Sequence, residues 1–122
     1  MILIDSSIWI DHLRTTDARL FALLNRREAL VHPFVLGELL LGMVADRPAL
    51  IDTFRDLPQA TVADPAEVLA VIDNHRLHGR GIGYVDVHLV ASALLMPETT
   101  LWSRDRKLTT IAVELGIAAV VG

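Results

Sequence analysis

Ile2-Leu3-Ile4-Asp5-Ser6-Ser7, at the start of the chain, decides the fold. Three apolar residues closed by an acid are too few for a helix, so 2–5 reads as a short buried strand. Ser6 and Ser7 are candidate caps for a helix through about residue 13. Outward from there the alternation repeats. Asp17 can cap a helix over 18–27, whose Leu20, Leu23 and Leu24 recur at helical spacing. A second strand is expected at 29–32, and Pro33 suits the first turn of a helix to about residue 45. Residues 47–57 predict another helix stopped by Pro58, and a third strand falls near 60–63. Asp64-Pro65-Ala66-Glu67 is the strongest helix start in the chain, with an acidic cap, proline in first position and glutamate three residues after the cap. That helix is expected to reach Leu77 or His78, with Gly79 as terminator. Further helices are expected at 84–95 and 107–115, the second ended by Gly116, and further strands at 99–102 and 117–121. Strands this apolar show no wet face. The pattern predicts a single α/β domain over residues 1–122, with a central, mostly parallel sheet of four or five strands flanked by helices on both faces.

The composition fits one core and narrows the function. The chain has 122 residues, 52% of them hydrophobic, and its mean hydropathy is +0.46. No uninterrupted apolar run approaches the ~18 residues of a membrane span. The surplus is expected to serve the core and a protein interface. The opening residues lack a basic region followed by a long apolar stretch and a cleavage site, so they are expected to be structure rather than a signal. With no cysteine, disulfides and thiolate metal sites are excluded, which suits a reducing cytoplasm. The formal charge of −4 argues against a general basic coat for nucleic acid. However, ten of the eleven basic residues are arginine, which grips phosphate with paired hydrogen bonds, and divalent cations held by acids would offset the negative balance.

Four acids carry the functional signal. Asp5 ends the first strand, and ligands of open parallel sheets bind at the carboxyl ends of strands; the alternative is a helix cap. Glu38 lies among Phe34, Val35, Leu41 and Gly42 on an apolar helix face with no lysine or arginine within a turn, where a carboxylate is desolvated unless it escapes at the helix edge. Asp86 repeats this pattern in the first turn of a helix, where the helix dipole also favours negative charge. Asp105 follows Leu101-Trp102-Ser103 and can cap the last helix. Converging carboxylates repel, and a hard divalent cation such as magnesium or manganese, which prefers oxygen ligands, resolves the repulsion.

Four blocks then point to a family. Ile4-Asp5-Ser6-Ser7-Ile8-Trp9-Ile10-Asp11, Glu38-Leu39-Leu40-Leu41-Gly42, Gly83-Tyr84-Val85-Asp86-Val87-His88-Leu89-Val90-Ala91-Ser92-Ala93 and Leu101-Trp102-Ser103-Arg104-Asp105-Arg106-Lys107-Leu108 follow one another in order. Together they resemble the signatures of PIN-domain VapC toxins of type II VapBC toxin–antitoxin systems, over essentially the whole chain. The resemblance implies a PIN-like fold in which Asp5, Glu38, Asp86 and Asp105 are catalytic and hold one or two Mg2+ or Mn2+ ions. Ser6 and Ser103 are carried over as hydrogen-bonding groups behind those ligands; the family commonly has threonine at the second position. Asp11 is expected on a solvated helix face, outside the site. The implied activity is metal-dependent endonucleolytic hydrolysis of RNA, of transfer or ribosomal type, leaving 5′-phosphate and 3′-hydroxyl ends. Arg104, Arg106 and Lys107 are the candidate phosphate contacts, a solvated basic helix start being the alternative. The implied partners are a VapB-like antitoxin that blocks the acidic site and a second copy of the chain.

Two other readings remain. A phosphoacceptor receiver domain is also α/β and acidic, but Ser6 and Ser7 stand where it needs a second acid, and Lys107, the only lysine, falls at a helix start instead of just after the last strand. An inactive PIN-like binding module is the other, against which all four acids are present. His75 and His78 lie near a helix end without a third ligand. Trp9 and Trp102 are expected in the core rather than stacked on bases.

Overall fold

The computed structural model describes all of residues 1–122. Its elements run β1 (Ile2–Ile4), α1 (Ser6–Arg14), α2 (Ala18–Asn25), β2 (Ala29–Leu30), α3 (Pro33–Leu41), α4 (Arg47–Asp56), α5 (Pro65–Asn74), α6 (Tyr84–Leu95), β3 (Thr100–Trp102) and α7 (Arg106–Glu114). The sheet is parallel in the order β2-β1-β3, with Leu3 opposite Leu30 on one side and Leu101 on the other. Leu3 and Ile4 are fully buried at its centre. Residues this deep each stabilise the fold by roughly 1.5–3 kcal/mol through apolar burial.

The sheet has three strands, not the expected four or five. The segments expected to supply the others do run alongside it, each joined by one bridge, Val31 to Gln59 and Leu101 to Ala118. At the first, the Val31 N–H donates to the Pro58 carbonyl and the Ala60 N–H to the Val31 carbonyl. Pro58 has no N–H to extend the ladder, and the helix start at Asp64 follows closely. At the second, the left-handed turn at Gly116 (φ 72) delivers the chain to the sheet just before its end.

Local signals explain most helix boundaries. Asp64 and Glu67 form the expected reciprocal cap, the Glu67 N–H donating to Asp64 Oδ1 at 2.8 Å and the Asp64 N–H to Glu67 Oε1 at 3.0 Å. Asp17 caps α2 through the N–H groups of Arg19 and Leu20. Ser6 and Ser7 are not caps: Asp5 holds the N-cap position, and the serines are the first helical residues. Helix α3 stops at Leu41, short of the expected residue 45, because the chain turns there into the separate cap that Asp46 supplies to Ala49 of α4.

The largest boundary difference is at α5, which ends at Asn74 and not near Gly79. The Leu77 N–H donates to the Ile72 carbonyl at 3.0 Å and the Arg76 N–H to the Asp73 carbonyl at 3.3 Å, the paired bonds of a Schellman ending. Leu77 is thereby folded into the core, and its burial draws the chain out of the helix a turn early. The left-handed residue of this ending is Arg76 (φ 53), where glycine is the usual occupant. Because Arg76 makes no side-chain bond, Arg76→Gly should raise stability by roughly 0.5–1 kcal/mol by relieving that strain. A denaturant midpoint shifted upward with an unchanged slope is the expected result.

Candidate active site

The strand order places the site. The chain passes from β1 to β2 on one side, then returns through four helices to β3 on the other, so the connections diverge at the carboxyl end of β1. That divergence is where open parallel sheets bind ligands. Asp5 stands there, 3% exposed, its N–H donating to the Trp102 carbonyl at 3.0 Å. Although it occupies the N-cap of α1, its side chain makes no capping bond.

The Asp5 carboxylate is held from one side only. Its Oδ2 accepts two short bonds of 2.7 Å, from the Ser7 and Ser103 hydroxyls. Its Oδ1 meets only the Ser6 hydroxyl, at 3.5 Å. The serines are themselves anchored: the Arg104 N–H donates to Ser7 Oγ at 3.0 Å and the Asp105 N–H to Ser103 Oγ at 2.9 Å. Of the two serines expected behind the acids, Ser103 therefore grips Asp5, whereas Ser6 bonds it weakly. Ser7, which sequence reasoning assigned only a capping role, is the stronger partner. Its signal was its position two residues after the acid in a first helical turn, but only the β1–β3 register reveals that it meets Ser103.

The other three acids arrive on separate elements. Glu38 sits midway along α3, Asp86 in the first turn of α6 and Asp105 at the N-cap of α7. Glu38 is exposed as a residue, at the edge of the apolar face rather than within it. Its carboxyl is nevertheless raised above the usual range, first by partial desolvation and then by the charges of Asp5 and Asp86, with a Ser6 hydrogen bond opposing. Asp86 is raised by desolvation as well, opposed by a bond from the Gly83 N–H to its Oδ2 and reinforced by the charges of Asp5 and Asp105. Mutual repulsion thus links all four carboxylates. Asp105 also performs the capping role its position suggested, its Oδ1 accepting the Leu108 N–H at 2.9 Å.

Asp5 and Asp105 each tie one oxygen firmly to the protein, and Asp86 ties one at 3.3 Å, leaving the second oxygen of each with at most a weak partner. No three acids or histidines stand close enough to enclose an ion directly. An all-oxygen donor set spaced in this way fits a hard cation that keeps several of its own waters, such as magnesium, and does not fit a softer metal.

The basic residues divide into two groups. Arg104 reaches Asp11 at 2.9 Å and Asp17 at 3.1 Å, so this candidate phosphate contact is engaged in pinning the β3–α7 loop to α1 and α2. Asp11 is accordingly outside the acid cluster and paired. Asp17 is pulled down to about 2, chiefly by its hydrogen bond from Arg19. Arg106 and Lys107 are exposed and form no ion pair, with Lys107 lying against the backbone at Gly81. Trp9 and Trp102 are buried in the core, as expected. A groove of about 660 Å³ runs between α1, α3 and α4, walled by Ile10, Leu13, Met43 and Val44, with Glu38 at its rim.

The comparisons with known proteins bear on the family and the fold. The family model described as "PIN domain" matches residues 2–114. Ribonuclease VapC32 from two strains of Mycobacterium tuberculosis is 44% identical over 118 residues, covering 97% of this chain and 95% of the relative. The crystal structure of PAE2754 from Pyrobaculum aerophilum superposes with a TM-score of 0.63 at 18% identity, over 97% of this chain and 87% of that one, a likeness of fold. A receiver domain is thereby set aside: the chain belongs to the PIN-domain family, among its VapC ribonucleases.

Proposed function

We propose that this chain is the toxin of a VapBC pair, an endoribonuclease that hydrolyses RNA phosphodiesters with the help of one or two Mg2+ or Mn2+ ions at Asp5, Glu38, Asp86 and Asp105. The observation that carries the reading is that Glu38 and Asp86, from separate helices, are both raised, first by desolvation and then by the charge of the buried Asp5 at the carboxyl end of β1. Bound there, the ions would lower the pKa of a coordinated water and stabilise charge on the leaving 3′ oxygen. Ser7 and Ser103 hold Asp5 Oδ2 and so aim Oδ1 at the cluster. Arg106 and Lys107 bind substrate phosphates, while Arg104 holds their loop in place. Cellular transfer or ribosomal RNA is the substrate class we favour, in the cytoplasm, and no helix is long and apolar enough to cross a membrane.

The groove supports an antitoxin partner. Its apolar lining, with Leu13 at 47% and Met43 fully exposed, suits the apolar face of a partner helix. Because Glu38 forms its rim, whatever fills the groove arrives beside the acids. Other exposed apolar residues on helices, such as Leu94 and Val113, support a homodimer. Leu13→Asp should abolish co-purification with a co-expressed cognate VapB-like antitoxin while leaving RNA cleavage intact; retained co-purification would exclude the groove.

Replacing a ligand should cost more than replacing a residue that orients one. Asp86→Asn is expected to remove RNA cleavage beyond detection with the fold retained by circular dichroism. Ser7→Ala is expected to slow it by roughly 10–100-fold, as losses of hydrogen-bonding partners behind metal ligands do. Full magnesium-dependent activity in Asp86→Asn would overturn the assignment.

The elevated acids also set a pH dependence. A carboxyl raised in the folded state takes up protons on folding, so stability falls as pH rises. Without metal, the contribution of Glu38 and Asp86 should therefore improve as pH drops from neutral toward their ordinary values of 4.5 and 3.8. Asp86→Asn should melt higher than the parent at neutral pH, and magnesium should raise the melting temperature of the parent more than that of the variant. Equal magnesium shifts in both would contradict the shared site.

A further inference from the structure

Two exposed aromatic residues are packed around one buried histidine. Phe34 and Tyr84 lie in the first turns of α3 and α6, 39% and 56% exposed. Between them His88 is buried, its ring 4.6 Å from Phe34 and 4.5 Å from Tyr84, the latter pair nearly perpendicular at 86°. Behind them His32 packs edge-on against Phe34 at 5.0 Å.

Polar bonds lock this group. The His88 Nδ1 lies 2.9 Å from the Tyr84 carbonyl, an acceptor, so that nitrogen carries the proton and donates. The His32 Nδ1 accepts the Phe34 N–H at 3.0 Å and caps α3. Edge-to-face contacts of this kind fix ring orientation. The outer surfaces of Phe34 and Tyr84 are thus rigid as well as exposed.

Their position relates them to the reaction. Phe34 precedes Glu38 by four residues on the same face of α3, about 6 Å along the helix. Tyr84 joins Phe34 on this surface across the buried His88 ring, which contacts both. The chain has a formal charge of −4 and few free cations near the acids, so contacts that do not depend on charge would add to the affinity that the bound ions, Arg106 and Lys107 supply. Unpaired bases supply such contacts by stacking on aromatic side chains.

We propose that Phe34 and Tyr84, wedged around His88, form a platform that stacks an unpaired RNA base beside the acidic cluster. The proposal rests on RNA being the substrate, and its readout is binding, so its failure is distinguishable from a failure of the acid assignment.

The test uses short single-stranded RNAs carrying 2-aminopurine at successive positions, bound to the full chain with calcium in place of magnesium. The platform predicts strong fluorescence quenching at one position in the parent and in Tyr84→Phe. In Tyr84→Leu and Phe34→Leu that quenching should be lost and binding weakened by about tenfold, with melting temperatures unchanged. Unaltered quenching and affinity in both leucine variants would overturn the proposal. So would weakened binding that follows the loss of a dimer in sedimentation, since the aromatic face would then be a contact between copies of the chain.

Discussion

The structure depends on the position of β1, a strand of three residues paired in parallel on both edges and closed by a carboxylate. Its apolar residues need full burial, which only a sheet covered by helices provides. Burial of the strand in turn fixes where Asp5 must emerge. Because the chain leaves β1 toward β2 and returns to β3 on the other edge, the N-termini of α1, α6 and α7 and the middle of α3 carry their acids toward one place. The architecture therefore imposes the carboxylate crowding that the chemistry requires, at a cost visible in the raised Glu38 and Asp86.

The buried Asp5 is itself held by hydrogen bonds concentrated on a single atom. Asp5 Oδ2 takes both serine hydroxyls, and each hydroxyl receives a backbone N–H from the β3–α7 loop. The loop is held by Arg104 against Asp11 and Asp17. Loop, hydroxyls and carboxylate thus form one connected support, in which Arg104 acts at a distance from the acid it stabilises. Ion pairs this exposed contribute little to stability individually; their role here is to fix geometry.

Much of this was legible in the sequence because it rests on local chemistry. Ile2 to Ile4 could only be a buried strand, Asp64-Pro65-Ala66-Glu67 could hardly be anything but a helix start, and acids such as Glu38 and Asp86 set among apolar neighbours call for an explanation. What was not legible depends on long-range registration. The strands expected near 60–63 and 117–121 have suitable side chains, yet each makes one bridge because Pro58 and the turn at Gly116 limit their reach. Helix α5 ends early because Leu77 finds the core, which no local residue announces. Ser7 and Ser6 look alike in the sequence, and only the approach of Ser103 across the sheet distinguishes them. The pairing of Arg104 with Asp11 and Asp17 was not legible either, because those partners are distant in the chain.

If the gathered carboxylates serve RNA hydrolysis only with a divalent cation among them, cleavage of cellular RNA by the purified chain should stop on chelation and return when manganese or magnesium is restored. Undiminished cleavage in the presence of the chelator would show that the acids work without a metal.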